Sequence, residues 1–185
     1  MSIYTLPYSV EIEGKTLPIR NDCDFRVVLD VIEALNDNDL TEEEKYRCAL
    51  FIFYGDEIWN VLNLEEAIEK MFIVINCGEK SDEPSKKPKL MDWHHDFSLL
   101  APPISKVLGY DVRTPHKFTH WWTFVGGYME IGDCSFSNVV SIRSKKAKGR
   151  KLDKSEEEFY RENRNLVDFP VQISREEQEI LDSDW

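Results

Sequence analysis

The chain of 185 residues carries four histidines and four cysteines. The spacing of these side chains decides which chemistry is open to them. His116 and His120 stand four apart, which on a helix would set two imidazoles on one face, as in zinc peptidases. That pattern needs Glu directly after the first histidine, and Lys117 stands there. His94 and His95 lie between Asp92 and Asp96, so imidazole and carboxylate on adjacent turns could converge on one ion. The same acids also have a plainer use, Asp92 as a helix cap and Asp96 on a polar face, and no metal is expected. Cys23, Cys48, Cys77 and Cys134 are irregularly spaced with no Cys-x-x-Cys, which suggests neither a zinc site nor a disulfide framework and fits a reducing cytosolic setting. Gly-x-Ser-x-Gly and Gly-x-x-x-x-Gly-Lys are both missing, and Gly126-Gly127 sits inside an aromatic stretch, where it suits close helix packing better than a phosphate cradle. The expectation is a protein that is not an enzyme and takes no cofactor.

The elements that would hold these residues are mostly helices. Tyr8, Val10 and Ile12 alternate before Gly14, and Leu17 and Ile19 follow it, which predicts a small hairpin over residues 8–19 with Pro7 and Pro18 near its ends. Phe25, Val28, Leu29, Ile32 and Leu35 recur at helical spacing behind a cap at Asp22 or Asp24. Thr41 and Glu44 form a capping box for a second helix closed at Gly55. Asn63 and Glu66 repeat the signature ahead of Ala67, Ile68, Met71, Phe72 and Ile75. Trp93, Phe97, Leu100, Ile104 and Leu108 make a fourth stripe, in which Pro102 and Pro103 predict a break or kink, since each costs about 3 kcal/mol in a straight helix. Thr114-Pro115 reads as a helix start ahead of Phe118, Trp121, Trp122, Val125, Tyr128 and Met129. Phe118, Trp122, Val125 and Met129 are expected to be buried there, the alternative being a partner groove. A short helix with Phe136, Val139 and Val140, a charged one opening at Ser155, and a capping box at Ser174 and Glu177 complete the reading. The fold class is mainly α: a helical domain with a small N-terminal β-hairpin and a charged helical C-terminal tail. Its expected parts are a hairpin with helical bundle (1–78), a linker (79–91), a helical segment packing on the first (92–143) and the tail (144–185).

The net charge of −12 argues against nucleic acid as a partner, because phosphate neutralisation needs clustered Lys and Arg. Residues 1–78 carry −10, 79–143 are neutral, 144–154 carry +5 and 155–185 carry −7. The basic island, Lys145, Lys146, Lys148, Arg150 and Lys151, is either a solvated connector or a set of contacts to acidic positions on a partner. The N-terminus has no signal-peptide pattern and no apolar run approaches the ~20 residues of a membrane span, so a soluble, unprocessed protein with no membrane partner is expected.

LPYSVEIEGKTLPIRND, MDWHHDFSLLAPPISKVLGYDVRT, HWWTFVGGYMEI and SIRSKKAKGRKLDKSEEEFYRENRN together resemble the "gene product 15" family of bacteriophage and prophage proteins of Gram-positive bacteria. The most specific part is the series Asp92, Asp96, Tyr110, Asp111, His120, Trp121 and Trp122, residues read as structural. Ala101-Pro102-Pro103 departs from the uninterrupted helix of the family. The resemblance implies a product of the tail gene module, a tail assembly chaperone that coats the tape measure protein until the tail tube forms around it. Its partners would be the tape measure protein and other tail proteins, with self-association left open, in the cytoplasm of the infected or lysogenic host. The alternative is a terminator or connector subunit retained in the virion, which presence in purified particles would reveal.

Overall fold

The computed structural model describes residues 4–79 and 88–170. The fold is mainly helical with one small antiparallel hairpin, as the sequence predicts. The described residues divide into two compact units, 4–79 with 118–125, and 88–117 with 126–170. Most of the expected linker, residues 80–87, and the capping box at Ser174 and Glu177 lie outside the described residues.

In the first unit β1 (Ser9–Ile12) pairs with β2 (Lys15–Pro18), Val10 opposite Leu17. The two-residue turn has positive φ at both positions, 52° at Glu13 and 72° at Gly14, the geometry that matches strand twist. Glu13 is not a residue that favours this conformation, and it is tied down on both sides. Its amide donates to Glu66 (3.2 Å) and its carboxylate accepts from the Leu62 amide (3.1 Å). Val10, Ile12, Leu17 and Ile19 are buried. Asp24, one of the two expected caps, starts α1 (Phe25–Asn36) by accepting from the Arg26 amide. The Thr41–Glu44 capping box starts α2 (Glu42–Tyr54), and Gly55 ends it at φ 74°. Asn63 caps α3 (Leu64–Ile75). Phe25, Val28, Leu50, Phe53, Met71 and Val74 fill the space between these helices.

The second unit is built on α4 (Trp93–Leu108), capped by Asp92 and closed by left-handed Gly109. α4 is continuous through Pro102 and Pro103, so the expected break there is corrected. Leu100, Ala101 and Ile104 on its inner face are fully buried, and that packing outweighs two lost amide bonds. Pro102 itself is exposed, which places its ring on the outer face.

The start of the aromatic helix is also corrected. α5 (Trp121–Met129) begins seven residues after Thr114, because 119 and 120 are held extended against the start of α1. Phe25 N–H donates to Thr119 O (2.9 Å) and Thr119 N–H donates to Asp24 (3.1 Å). This changes which side chains face inward. Trp121 and Phe124 are buried, Phe124 stacked on Phe25 at 4.3 Å, whereas Phe118 is 47% exposed, Met129 73%, and Trp122 and Val125 lie in between. α5 passes from the first unit to the second between Val125 and Gly126.

α6 (Ser135–Ala147) is a longer helix than expected and continues through Lys145 and Lys146. Asp153, rather than Ser155, caps α7 (Lys154–Glu162), and α8 (Arg164–Val167) follows. Val139, Ile142 and Val167 form a buried cluster closed by Leu99, Leu152, Phe159 and Tyr160.

Candidate functional site

The histidines do not assemble. His116 is exposed, outside any helix, at φ 60°, so the four-residue spacing to His120 carries no shared face. His94 is exposed, and His95 packs its ring edge on Phe169 at 5.6 Å with Nε2 buried and unpartnered among the described residues. No three His, Cys, Asp or Glu among the described residues form a group able to hold a metal ion. Burial pushes the Cys23 thiol up to about 12 and the Cys77 thiol up to about 11, so both are protonated and poorly nucleophilic at neutral pH.

His120, Trp121 and Trp122 make a joint between two helix ends. His120 Nδ1 accepts from the Trp122 amide (3.0 Å), which places the ring proton on Nε2, donating to Pro7 O (3.0 Å). Burial holds its pKa below the ordinary histidine value, against the opposing pull of the Pro7 bond. The two indoles cross to the end of α3, Trp121 Nε1 donating to Ile75 O and Trp122 Nε1 to Val74 O, each at 2.8 Å. Helix-terminal carbonyls lack partners within their own helix, so these N–H groups cap α3.

Asp96 does not lie on a polar face: it is 0% exposed, and this corrects the sequence reading. Its carboxylate takes a bidentate bond from Arg143, Nη1 to Oδ2 at 2.7 Å and Nη2 to Oδ1 at 2.8 Å, and Oδ2 also accepts from the Asp92 amide. Arg143 further donates to Leu90 O, Leu166 O and Val167 O, and its guanidinium lies 4.0 Å from the Phe169 ring centre. One arginine thus joins α4, α6 and the end of α8. Asp111 sits in a turn, where hydrogen bonds from the Arg113 side chain and amide lower its pKa to about 2. Tyr110 lies under Lys117, 4.7 Å from the ring centre.

The basic island is split by the structure. Lys145 pairs with Glu156 at 2.5 Å, and Lys146 bonds Asp168 and the Tyr160 hydroxyl while lying over that ring. Burial acts against the Lys146 charge, and these bonds outweigh it and raise the pKa. Lys148, Arg150 and Lys151 are exposed.

A cleft of about 310 Å³ opens on the first unit. Ile32, Leu35 and Asn36 of α1, Glu42, Lys45 and Tyr46 of α2, and Phe72 and Ile75 of α3 line it. Ile32, Leu35, Tyr46, Phe72 and Ile75 are all part-exposed, so the helices present apolar surface beyond what they bury among themselves. Periodicity marks such residues as inward-facing and cannot separate a core position from a cleft wall.

A family model described as "Bacteriophage Gp15 protein" matches residues 3–169. The chain belongs to the bacteriophage Gp15 protein family. No curated protein and no solved structure matches it significantly. The Gp15 match spans the described parts of both units, including the His120–Trp122 joint, the Asp96–Arg143 pair and the cleft. Arg143 and the cleft are the parts of this Gp15 chain that sequence reasoning missed. Arg143 had a signal: with Phe136, Val139 and Val140 it falls on one helical stripe, and a charge on an apolar stripe calls for a buried partner.

Proposed function

We propose that this phage protein is a tail assembly factor that binds the tape measure protein in the host cytoplasm, without catalysis. The cleft of the first unit is the observation that carries this reading. An apolar trough between helices is the shape that receives side chains from the apolar face of another helix. A long helical protein with exposed apolar stripes aggregates unless it is covered. A covering protein with net charge −12 would repel its own copies while doing so. Lys148, Arg150 and Lys151 are the island residues exposed for contact with acidic partner positions.

Co-expression with the tape measure protein of the same phage tests the proposal. The tape measure protein should stay soluble with this chain and precipitate without it. Deleting the chain beyond Ile142 is a poor probe, since it removes Arg143 and Val167 from the second unit. Reversing the exposed charges, Lys148→Glu with Arg150→Glu and Lys151→Glu, leaves those contacts in place. Weaker, salt-sensitive binding would assign the island to the partner, and unchanged binding would make it a solvated connector. Equal precipitation with and without the chain, together with its presence in purified virions, would favour the structural tail component instead.

A further inference from the structure

The cleft on the first unit is formed by helices rich in carboxylates. Between Phe25 and Ile75 the chain carries twelve acidic and four basic side chains. The one cation lining the cleft, Lys45, is ion-paired to Glu42 at 2.8 Å. Around the apolar floor, helical spacing sets further carboxylates on the same faces. Glu69 stands one turn before Phe72 on α3, and Glu33 one turn before Asn36 on α1. On α2 Glu43 stands one turn before Tyr46 and pairs with Arg47 at 3.7 Å. All three are exposed.

We infer that the cleft docks a cationic amphipathic helix, whose apolar stripe enters between Leu35, Tyr46 and Phe72 while flanking Lys or Arg side chains meet the carboxylate rim. The volume suits this occupant. About 310 Å³ is at the lower end for a ligand site, room for a few side chains from a helix face. Charge complementarity decides the sign. An acidic helix would meet like charges at the rim, whereas a basic one gains long-range attraction that speeds encounter and rejects wrong partners. The inference rests on the cleft being the docking surface of the proposed assembly factor and adds the charge that its partner segment must carry.

Two synthetic helical peptides test it, sharing one Leu stripe at i, i+3, i+4 and i+7, one flanked by Lys and the other by Glu. Binding of each labelled peptide to the full chain is read by fluorescence anisotropy at low and high salt. The Lys-flanked peptide should bind at least about tenfold tighter, a difference that shrinks as salt screens the rim. Tyr46→Ala should weaken it, and since that change could disturb packing, Glu69→Lys with Glu43→Lys provides a second variant on exposed positions. The charge variant should lose the preference for Lys flanks while remaining folded, with a melting temperature lowered only slightly by loss of the Glu43–Arg47 pair and of an acidic charge in the first turn of α2. Equal affinity for both peptides, no binding of either, or a preference untouched by the charge variant would overturn the inference. Self-association abolished by Tyr46→Ala, with no peptide bound, would give the cleft to a second copy and likewise overturn it. The two readings can fail separately. A tape measure protein held by the wild type and equally by both variants would sink the cleft assignment alone. Tight cationic-peptide binding with no hold on the tape measure protein would sink the assembly role alone.

Discussion

Arg143 and His120 are buried polar residues on which the two units depend in different ways. Removing one partner of a buried ion pair leaves an uncompensated charge, so Arg143→Met should destabilise the protein by about 3–5 kcal/mol in denaturant unfolding. A midpoint shift under about 1 kcal/mol would show that Asp96 finds another partner or water. His120 acts through its neutral form. Burial depresses its native pKa below the unfolded value near 6.5, so the unfolded chain takes up a proton that the native state resists. Its contribution is therefore complete above about pH 6.5 and is lost as pH falls toward the depressed native value. Carboxylates whose native pKa is lowered, Asp92, Asp111 and Asp168 among them, add their loss only below about pH 4. Melting temperature should fall between pH 7 and pH 5 in the wild type and stay flatter in His120→Asn; parallel slopes would remove His120 as the cause.

At the scale of elements, the two indoles of α5 do unequal work on α3. Trp121 is buried and Trp122 only part-buried, so Trp121→Ala should cost about 3–5 kcal/mol and Trp122→Ala less, the reverse of what an aromatic helix beginning at Thr114 implies. Trp122→Phe, which keeps a ring and loses the bond to Val74 O, should cost about 1 kcal/mol. Equal losses for the two Ala variants would return Trp122 to the core. The paired glycines supply an independent check. A Cβ at Gly127 would lie 3.2 Å from Ile104 and Leu108, while one at Gly126 meets nothing within 4 Å. Gly126→Ala should therefore stabilise by up to about 1 kcal/mol and Gly127→Ala should not, as read by thermal unfolding. Local signals at α1 to α3 were legible because cap and stripe agree there, as at Asp24 and at Thr41 with Glu44. They failed where a long-range contact decides. Thr119 and His120 are extended because Asp24 and Phe25, some 95 residues earlier, bind their backbone, and nothing local to Thr114-Pro115 records that. The prolines of α4 likewise obey burial of Leu100 and Ile104 over propensity.

For the whole molecule, composition and family membership set the class, and the proposed task rests on the cleft of the first unit. The hairpin, the helices and the resemblance could be read from the chain, but the site could not, since a cleft wall and a core wall share one apolar period. The central claim is that this Gp15 protein holds the tape measure protein during tail assembly and is then released. The most direct measurement captures a tagged chain from cells midway through tail assembly, quantifies the tape measure protein that comes with it, and assays purified virions for the chain. The account predicts that the tape measure protein is captured, that capture falls with Glu69→Lys and Glu43→Lys, and that the chain is missing from virions. A fixed copy number of the chain in every virion, with no tape measure protein captured during assembly, would contradict it.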